Sequence, residues 1–176
     1  DRVVLWMTNS LDWVVAAQAA MRLGAAVVPV NTFLKPPEIR YVIEQSGARH
    51  LIMLDAFRKL DFPAMLAEIC PPFAAAEQPG NLLDPDLPDL RHVLMLSRSR
   101  RKHPGAHDVA TIEAAGRDDT GYWRGIADTM AAAVQPSDLG MVKYTSGSTG
   151  FPKGVMLDQG GIAASGIIHA RRVDAG

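Results

Sequence analysis

Cysteine is nearly absent from this chain, since Cys70 is the only one in 176 residues. A single cysteine excludes an internal disulfide and is typical of a protein from a reducing compartment. Long apolar runs are missing as well, because no stretch reaches the ~18 consecutive apolar residues that a membrane-spanning helix needs. The composition therefore predicts a cytoplasmic protein without a transmembrane segment.

An excess of charge of either sign is also missing. The chain has 18 Lys and Arg against 19 Asp and Glu, which gives a formal net charge of −1. Such a balance predicts no nucleic-acid partner and no general attraction to an anionic membrane. The apolar content of 48% suits one ordinary core in a chain of this length. We expect one domain or a piece of one, and Asp1 in place of an initiator methionine suggests a cut amino terminus.

Apolar segments without polar alternation alternate with segments of helical periodicity. The sequence predicts strands at 3–8, 25–30, 50–54 and 92–96 and helices at 11–23, 36–46, 63–70 and 122–134. Such alternation predicts an α/β fold, a mostly parallel sheet with helices on both faces. The first helix would begin after Asn9 or Ser10, and Gly24 and Gly47 are expected to end the first two helices.

Two further patterns concern what the helices bury and where the regular structure stops. In the first helix one face carries Leu11, Val14, Val15, Gln18 and Met21, and in the second the apolar stripe consists of Ile39, Val42 and Ile43. Residues 71–90 and 97–116 are rich in turn-forming and charged residues, so both are predicted to be irregular surface loops.

Several potentially reactive residues receive a structural interpretation. His103 and His107 are separated by Pro104 and Gly105, which excludes metal-ligand spacing on a helix and predicts no tightly bound structural metal. Cys70 has no nearby histidine and is interpreted as a small buried apolar residue. Two charged sets are predicted to be solvated, namely the basic run Arg98, Arg100, Arg101, Lys102 and His103, and the acidic residues Asp55, Asp84, Asp86 and Asp89.

The segment 144–155, which reads Y-T-S-G-S-T-G-F-P-K-G-V, has the composition of a phosphate-binding loop. Gly147, Gly150 and Gly154 permit backbone conformations that a side chain would forbid, so that successive N–H groups can converge on an anion. Lys153 adds a positive charge, and four residues add hydroxyl donors, namely Thr145, Ser146, Ser148 and Thr149. These groups together predict binding of ATP through its phosphates.

A flexible linker without any ligand is the alternative interpretation of so much glycine and serine. The flanking segments argue against it, because 141–144 and 155–157 have strand-like sequences and predict a strand, loop, strand arrangement. Neither G-x-x-x-x-G-K followed by Ser or Thr nor G-x-G-x-x-G can be aligned with the segment, which excludes two other phosphate loops. Ser146 and Ser148 lack the G-x-S-x-G context of a hydrolase nucleophile and are interpreted as phosphate ligands.

The segment resembles the signature loop of the adenylate-forming enzymes, a family that includes acyl-CoA and aryl-CoA synthetases, luciferases and peptide-synthetase adenylation domains. The resemblance extends to D-R-V-V-L-W-M-T-N-S at 1–10, R-L-G-A-A-V-V-P-V-N at 22–31 and P-E-I-R-Y-V-I-E-Q-S-G-A at 37–48, and it is weaker over 57–129. It implies that residues 1–176 are part of the large amino-terminal AMP-binding domain, truncated at both ends.

The resemblance implies that the full-length parent activates a carboxylic acid, with a fatty acid as the preferred substrate, to an acyl-adenylate. The acyl group would then be transferred to CoA. ATP, Mg²⁺ and CoA would take part, and Lys153 would be the charged catalytic residue. The implied phosphate-loop residues are Thr145, Ser146, Gly147, Ser148, Thr149, Gly150, Lys153 and Gly154. The fragment itself is expected to be inactive, with an open apolar surface that would promote a homodimer.

Two alternatives to a CoA ligase remain. An adenylating enzyme could instead load an acyl or aminoacyl group onto a carrier protein, because the discriminating residues lie downstream in the family. A non-catalytic nucleotide-binding homologue is the other alternative, since Asp158 and Gln159 stand where many members have Ser-His or Thr-His. The histidine that those members have at this position is absent from the same position of this chain.

Overall fold

The computed structural model describes residues 1–80, 82–99, 101–145 and 152–174. Within these residues, seven strands form one sheet in the order β7-β6-β3-β1-β2-β8-β9, and β4 and β5 form a separate hairpin. The strands are β1 (Arg2–Trp6), β2 (Ala26–Pro29), β3 (His50–Leu54), β4 (Ala56–Phe57), β5 (Leu60–Asp61), β6 (His92–Leu96), β7 (His107–Asp108), β8 (Leu139–Thr145) and β9 (Lys153–Asp158). The helices are α1 (Leu11–Arg22), α2 (Pro36–Ser46), α3 (Phe62–Ile69), α4 (Pro71–Ala75), α5 (Val109–Arg117), α6 (Tyr122–Ala133) and α7 (Gln159–Asp174).

Neighbouring strands of the large sheet run parallel from β7 to β8, and only the β8–β9 pair is antiparallel. The central strand β1 is paired on both sides, with Val4 opposite Val28 of β2 and Leu51 of β3. Buried parallel strands require continuous apolar sequence, which is the pattern that the chain shows. The predicted α/β fold with a mostly parallel sheet is confirmed.

The two faces of the sheet are covered by different helices. On one face, Val4, Trp6 and residues of β3 and β6 pack against α2, α3 and α4 in the larger core cluster. The Trp6 ring meets the ring of Phe62 edge to face, with centroids 4.9 Å apart. On the other face, Val3 and Leu5 pack against α1 in a smaller cluster. Helices therefore lie on both faces, as predicted.

Local signals in the sequence set the ends of the first two helices. The Ser10 hydroxyl accepts a hydrogen bond from the Trp13 N–H at 3.2 Å and so caps α1. Gly47 ends α2 in the left-handed conformation, with φ of 59°. The Gly47 carbonyl accepts from the Arg2 guanidinium at 3.1 and 3.2 Å, which ties the end of α2 to β1. These helix ends agree with the predicted ones.

The face that α1 turns to the sheet differs from its most apolar stripe. The sheet contacts Ala17, Ala20 and Met21, whereas Leu11 and Val15 are exposed by 77% and 55%. Small alanines allow the helix to approach the strands closely, and the larger side chains are left pointing outward. The predicted stripe of α2 is buried as expected, since Ile39, Val42 and Ile43 are at most 1% exposed.

The two segments predicted as irregular loops contain more structure than expected. Residues 71–90 include α4 and bury Phe73 and Leu82, Leu87 and Leu90, so this stretch is part of the core. Residues 97–116 include β7 and most of α5, and the Asp108 carboxylate caps α5 by accepting from the Ala110 N–H at 3.0 Å. The prediction of two surface loops is wrong. The buried leucines and the helix cap are interspersed with turn-forming residues, so they produce no clear periodic pattern in the sequence.

Two of the four acidic residues predicted at the surface are buried. Asp55 is 2% exposed and Asp84 is 3% exposed, while Asp86 and Asp89 lie at the surface. The Asp84 carboxylate accepts from the N–H groups of Asp86 and Leu87 and so closes a turn. Cys70 is buried as predicted, and burial raises the pKa of its thiol to about 11. In the described residues, no helix has the length and apolarity to cross a membrane.

Candidate functional site

The predicted phosphate loop connects β8 to β9 at the carboxyl edge of the sheet. Strand β8 runs parallel to β2, so its last residue, Thr145, lies at the edge where β1, β2, β3 and β6 also end. In open α/β sheets ligands bind outside the carboxyl ends of the strands. The fold therefore puts the loop at the edge where a nucleotide would be expected.

The two arms of the loop form an antiparallel ladder. Thr145 pairs with Lys153, Tyr144 with Gly154 and Lys143 with Val155. Directly opposed residues in such a ladder have Cα atoms about 4.5–5.5 Å apart, so the Thr145 and Lys153 side chains start from adjacent positions. The predicted strand, loop, strand arrangement is confirmed in its two strands. Five predicted ligands lie outside the described residues, namely Ser146, Gly147, Ser148, Thr149 and Gly150.

The predicted ligands within the described residues are all accessible. Thr145, Lys153 and Gly154 are exposed. Lys153 has no ion-pair partner among the residues that the structure describes, although six arginines elsewhere in that part of the chain pair with carboxylates. An ammonium group without a carboxylate partner is available to an anionic ligand. The hairpin thus presents one hydroxyl and one positive charge side by side.

Helix α2 braces this hairpin through two side chains one turn apart. The Tyr41 hydroxyl donates to the Pro152 carbonyl at 3.3 Å, and the Tyr144 hydroxyl of β8 donates to Gln45 Oε1. Residues four apart lie on one helix face, so one strip of α2 holds both arms of the hairpin. Burial, together with the nearby Tyr41 hydroxyl, raises the pKa of Tyr144. We call Tyr41, Gln45, Tyr144 and Pro152 the α2 brace.

The α2 brace is a feature that the sequence interpretation missed. Its only sequence signal is the i, i+4 spacing of Tyr41 and Gln45 on the side of α2 away from Ile39, Val42 and Ile43. That spacing fits any solvent-exposed helix face. The contact spans 99 and 111 residues of sequence, so the fold alone brings the partners together.

Gly154 is required for a different reason from the predicted one. Its φ does not lie in the left-handed region, where the structure records Gly24, Gly47 and Gly121. A Cβ added to Gly154 would instead lie 2.9 Å from Cγ1 of Val142 and 3.4 Å from Cζ of Tyr144. The predicted conformational role of Gly154 is therefore wrong, and close packing against a stiff β-branched side chain explains the glycine.

Asp158 and Gln159, which depart from the family pattern, have defined contacts. Asp158 Oδ1 accepts from the Gly161 N–H at 2.6 Å and thereby caps α7. The Gln159 amide donates to the Met21 carbonyl at 3.1 Å, which joins the start of α7 to the end of α1. Asp158 therefore fixes the start of α7 directly after β9, and Gln159 attaches α7 to α1.

Asp55 organises a second part of the same edge. Its carboxylate accepts from the Ser97 hydroxyl at 2.8 Å, from the N–H groups of Arg98 and Ser99 at 2.9 Å, and from the Ser99 hydroxyl. Burial by itself would raise the pKa of Asp55, but these hydrogen bonds, that of Ser99 foremost, hold its pKa well below the usual range. Asp55 thus fixes the start of the basic run to the end of β3.

The basic run is more ordered than a solvated loop. Arg98 pairs with Asp12 of α1 at 2.6 Å, and Arg101 pairs with Asp61 of β5 at 3.3 Å. Lys102 is exposed, and Arg100 lies outside the described residues. Arg98 and Arg101 are nonetheless exposed, as predicted for a solvated run. The prediction missed only their pairing with carboxylates on two other elements.

The described residues offer few ligands for a metal ion. Proteins commonly hold Mg²⁺ through one or two carboxylates together with phosphate oxygens and water. No group of three or more His, Cys, Asp or Glu side chains suited to a metal occurs in the described part of the chain. The carboxylate of β9, Asp158, lies five residues along the strand from Lys153, about 17 Å away.

The family model for the AMP-binding enzyme matches residues 1–175. This chain belongs to that family, whose fold accounts for the parallel sheet and for the hairpin at its carboxyl edge.

Curated relatives include a (methyl-dioxo-octahydroindenyl)propanoyl:CoA ligase of Mycobacterium tuberculosis, 35% identical over 156 residues, which covers 89% of this chain and 26% of the relative. The mitochondrial medium-chain acyl-CoA ligase of Homo sapiens is 30% identical over 173 residues, with 98% and 27% covered. This chain therefore spans about a quarter of the length of the curated relatives it matches.

Solved structures show the same fold. A fatty acyl CoA synthetase of Mycobacterium tuberculosis superposes with a TM-score of 0.56 at 24% identity, over 90% of this chain and 24% of that one. An anthranilate CoA ligase in complex with anthranoyl-AMP gives a TM-score of 0.60 at 22% identity, over 90% of this chain and 25% of that one.

Proposed function

We propose that the full-length parent of this chain is an ATP-dependent acid:CoA ligase that forms AMP. The observation that carries the proposal is the β8–β9 hairpin, which presents the Thr145 hydroxyl and the exposed Lys153 ammonium at the carboxyl edge of the sheet. Membership of the AMP-binding enzyme family supports it, and so do relatives named as CoA ligases.

The proposed reaction has two steps. The carboxylate of the acid attacks the α-phosphorus of ATP, an acyl-adenylate forms, and the bond to the β-phosphate breaks to release pyrophosphate. The CoA thiol, losing its proton, then attacks the acyl carbon, and AMP leaves as the thioester forms. Negative charge grows on the departing pyrophosphate in the first step, so fixed donors near the β- and γ-phosphates lower that barrier.

Lys153 and the loop residues would supply those donors. The Lys153 ammonium would contact a phosphate oxygen, and the Thr145 hydroxyl beside it would donate to the same group. Five predicted ligands, Ser146, Gly147, Ser148, Thr149 and Gly150, complete the proposed cradle. Mg²⁺, when bound with the nucleotide, would neutralise part of the phosphate charge.

A hydrophobic or fatty acid is the proposed substrate class. The names of the relatives support it, since one acts on a medium-chain acyl group and another on a propanoyl group carried by a bicyclic ring system. The parts that would bind the acid and complete the active site correspond to the three quarters of the relatives' length outside this chain. We therefore expect residues 1–176 alone to be inactive, and we propose the cytoplasm as the location of the parent.

The test is acid-dependent exchange of pyrophosphate into ATP by the full-length parent, over a panel of fatty, aryl and amino acids. We expect exchange with one class of hydrophobic acid, and a thioester once CoA is added. Exchange without a thioester would favour a carrier-protein acceptor. ATP binding without exchange on any acid would contradict the proposal and favour a nucleotide-binding homologue.

A further inference from the structure

Three histidine rings lie in a row across neighbouring strands of the large sheet. His50 begins β3, His92 begins β6 and His107 begins β7, and these strands are adjacent in the order β7-β6-β3. The His50 and His92 rings are stacked, with centroids 5.5 Å apart, and the centroid of the His107 ring follows 5.4 Å from that of His92. We call these three residues the histidine row. It lies at the end of the sheet opposite the β8–β9 hairpin.

A hydrogen bond joins two rings of the histidine row. Nε2 of His107 lies 3.3 Å from Nδ1 of His92. A neutral imidazole has one N–H donor and one nitrogen acceptor, whereas a protonated imidazole has two donors. One added proton therefore leaves the pair with an acceptor, but a second proton places two donors and two like charges against each other. The contact is then repulsive.

The groups around His92 oppose its protonation. His92 faces His50 of β3 and His107 of β7, and the guanidinium groups of Arg49 and Arg91 lie near it. Burial foremost, and then these neighbours, lower the pKa of His92 from its usual value. The ring is therefore an acceptor at neutral pH.

The neighbours of His50 act in the same direction. The Asp1 carboxylate lies 3.9 Å from Nε2 of His50, but it also pairs with Arg49 at 3.6 Å. Burial foremost, and then Arg49, lower the pKa of His50 in spite of that carboxylate. Two rings of the histidine row are thus more basic when they leave the fold than within it.

His107 has charges of both signs around it. The Asp108 carboxylate, which follows it in the chain, accepts from the Ala110 N–H at 3.0 Å. A cleft beside His107 is also lined by charged and titratable groups, namely Glu77, Arg101, Lys102 and His103. Because salt screens such exposed charges, the response of the row to pH has to be measured at constant ionic strength.

The histidine row lies where β7 joins α5 to the sheet. Strand β7 has two residues, with His107 opposite Leu94 and Asp108 opposite Met95 of β6. Helix α5 follows directly, and Val109 is half-buried while the rest of the helix is exposed. Buried apolar contacts therefore contribute little to holding α5 in place, so its attachment depends on β7 and on the contacts that β7 makes.

We propose that the histidine row is an acid-sensitive latch, which holds β7 and α5 on the sheet while the rings are neutral and releases them when the His92–His107 pair is doubly protonated. Release leaves β3 and β6 paired, because their ladder runs over all five residues of each strand. Neither ATP nor an acid substrate takes part, so the latch goes beyond the proposed ligase activity.

The direction of the pH dependence follows from His50 and His92. Their pKa values are lower in the folded protein than the value of about 6.5 for an unfolded histidine. The unfolded rings bind protons more readily, so the stability that the row contributes is complete above about pH 6.5 and is lost as the pH falls through the folded pKa values. The latch is closed at neutral pH and opens in acid.

The test is hydrogen–deuterium exchange of the full-length parent at pH 7.5 and pH 5.0 in constant salt, measured by mass spectrometry. Rates are divided by those of unstructured peptides at the same pH, which removes the intrinsic effect of pH on exchange. We expect protection of residues 105–117 to fall about fivefold or more at pH 5.0, and protection of α2 to change less than about twofold. No selective loss of protection in residues 105–117 would overturn the proposal.

Two conservative variants should remove the response to acid. His92→Asn puts an amide oxygen near the position of Nδ1, where it accepts a hydrogen bond and is not protonated at pH 5.0. His107→Gln supplies an amide that can donate or accept, so it suits either protonation state of His92. Protection of residues 105–117 in each variant should differ less than about twofold between the two pH values. A response as large as that of wild type in both variants would overturn the latch.

A disruptive variant and a control complete the test. His92→Phe removes the acceptor and should lower protection of residues 105–117 at pH 7.5 to about the wild-type level at pH 5.0. His169→Gln removes a titratable ring from the exposed helix α7, where Nδ1 lies 2.7 Å from the Ser165 carbonyl oxygen, and should respond to pH like wild type. Circular dichroism checks that each variant is folded at both pH values. Wild-type protection at pH 7.5 in a folded His92→Phe parent would overturn the role of the hydrogen bond.

Discussion

Lys153 combines an exposed ammonium group with a position at the first residue of β9, beside Thr145. In the parent we expect Lys153→Ala to slow pyrophosphate exchange about a hundredfold, the usual effect of removing a preorganised donor from a developing charge. The melting temperature should stay within a degree or two, because Lys153 is exposed and surface substitutions usually change stability little.

Lys143→Ala is the matched control for that prediction, since Lys143 is exposed on the opposite arm of the same hairpin, facing Val155 in the ladder. It removes an identical charge without changing the proposed phosphate contact. Equal exchange rates in Lys153→Ala and wild type would remove Lys153 from the mechanism.

Asp55 should make the stability of the parent sensitive to acid. Its pKa is depressed in the folded state, so its contribution is complete above the unfolded pKa of about 3.9 and is lost as the pH falls towards the lower folded value. We expect Asp55→Asn to lower the free energy of unfolding at pH 7 by about 2 kcal/mol, because donors lose a charged acceptor. The measurement is urea denaturation from pH 7 down to pH 3.

The difference between Asp55→Asn and wild type should shrink as the pH falls below 4. Asp86→Asn is the control, because Asp86 is exposed and pairs with Arg40 at the surface. A stability difference that stays constant over the whole pH range would mean that the carboxylate charge does not fix the basic run.

Gly154 and Gly125 should respond oppositely to alanine. A Cβ at Gly154 would press against Val142 at 2.9 Å, and overpacking of this kind costs about 1–3 kcal/mol. Gly125 lies within α6 with no atom within 4 Å of an added Cβ, so Gly125→Ala should stabilise the protein by about 0.5–1 kcal/mol. Thermal unfolding of both variants of the parent shows whether each substitution raises or lowers stability. A stabilising effect of Gly154→Ala would contradict the steric argument.

At the scale of elements, the α2 brace joins a helix to both arms of the proposed phosphate hairpin. Removing one half of it with Gln45→Leu should leave α2 folded, since Gln45 lies on the side away from its buried stripe. We expect faster hydrogen exchange in residues 141–145 and 153–157 and a threefold to tenfold higher KM for ATP, because the loop arms are less well positioned.

A double-mutant cycle separates the brace from general damage to the helix. Tyr144→Phe should have an effect similar to that of Gln45→Leu, and the combination should add little, since both remove the same hydrogen bond. Glu44→Gln on the exposed side of α2 is the control. Fully additive effects of Gln45→Leu and Tyr144→Phe on KM would show that the two side chains act independently.

The elements also differ in how well their sequences predicted them. Strands β3 and β6 were predicted residue for residue, and Pro36, Pro37 and Gly47 set the limits of α2, because apolar runs and terminal residues act locally. Strand β7 and α5 were missed, because two strand residues and a short helix leave little periodicity. Strand β7 is stabilised by its pairing with β6, a contact between residues that are not adjacent in sequence. Across that pair Nε2 of His107 lies 3.3 Å from Nδ1 of His92.

At the scale of the whole molecule, the outward face of α1 is the most informative surface. Leu11, Val14 and Val15 are 48–77% exposed on a helix whose other side is buried in the sheet. An exposed apolar stripe of this size usually marks a contact. We expect the remainder of the parent to cover it, since the curated relatives are about four times longer than this chain.

Val15→Asp in the parent tests this expectation. If the stripe is covered, a buried carboxylate without a partner should cost about 2 kcal/mol or more, and the melting temperature should fall by several degrees. Glu44→Lys, a charge change at an exposed position of α2, should have little effect. A Val15→Asp parent as stable as wild type would mean that the stripe faces water, and self-association of residues 1–176 would then not be an effect of an uncovered surface.

The sequence by itself determined the α/β class, the positions of β1, β2, β3 and β6 and of α1, α2, α3 and α6, and the position of the phosphate-loop motif. These depend on local periodicity, helix ends and residue type. Only the tertiary structure decided which face of α1 meets the sheet, that Asp55 is buried with its hydrogen bonds satisfied, and that Tyr41 and Gln45 brace the hairpin. It also replaced a conformational role for Gly154 by a steric one. These features depend on contacts between residues far apart in sequence, which follow from how the elements pack and leave no periodic trace in the chain.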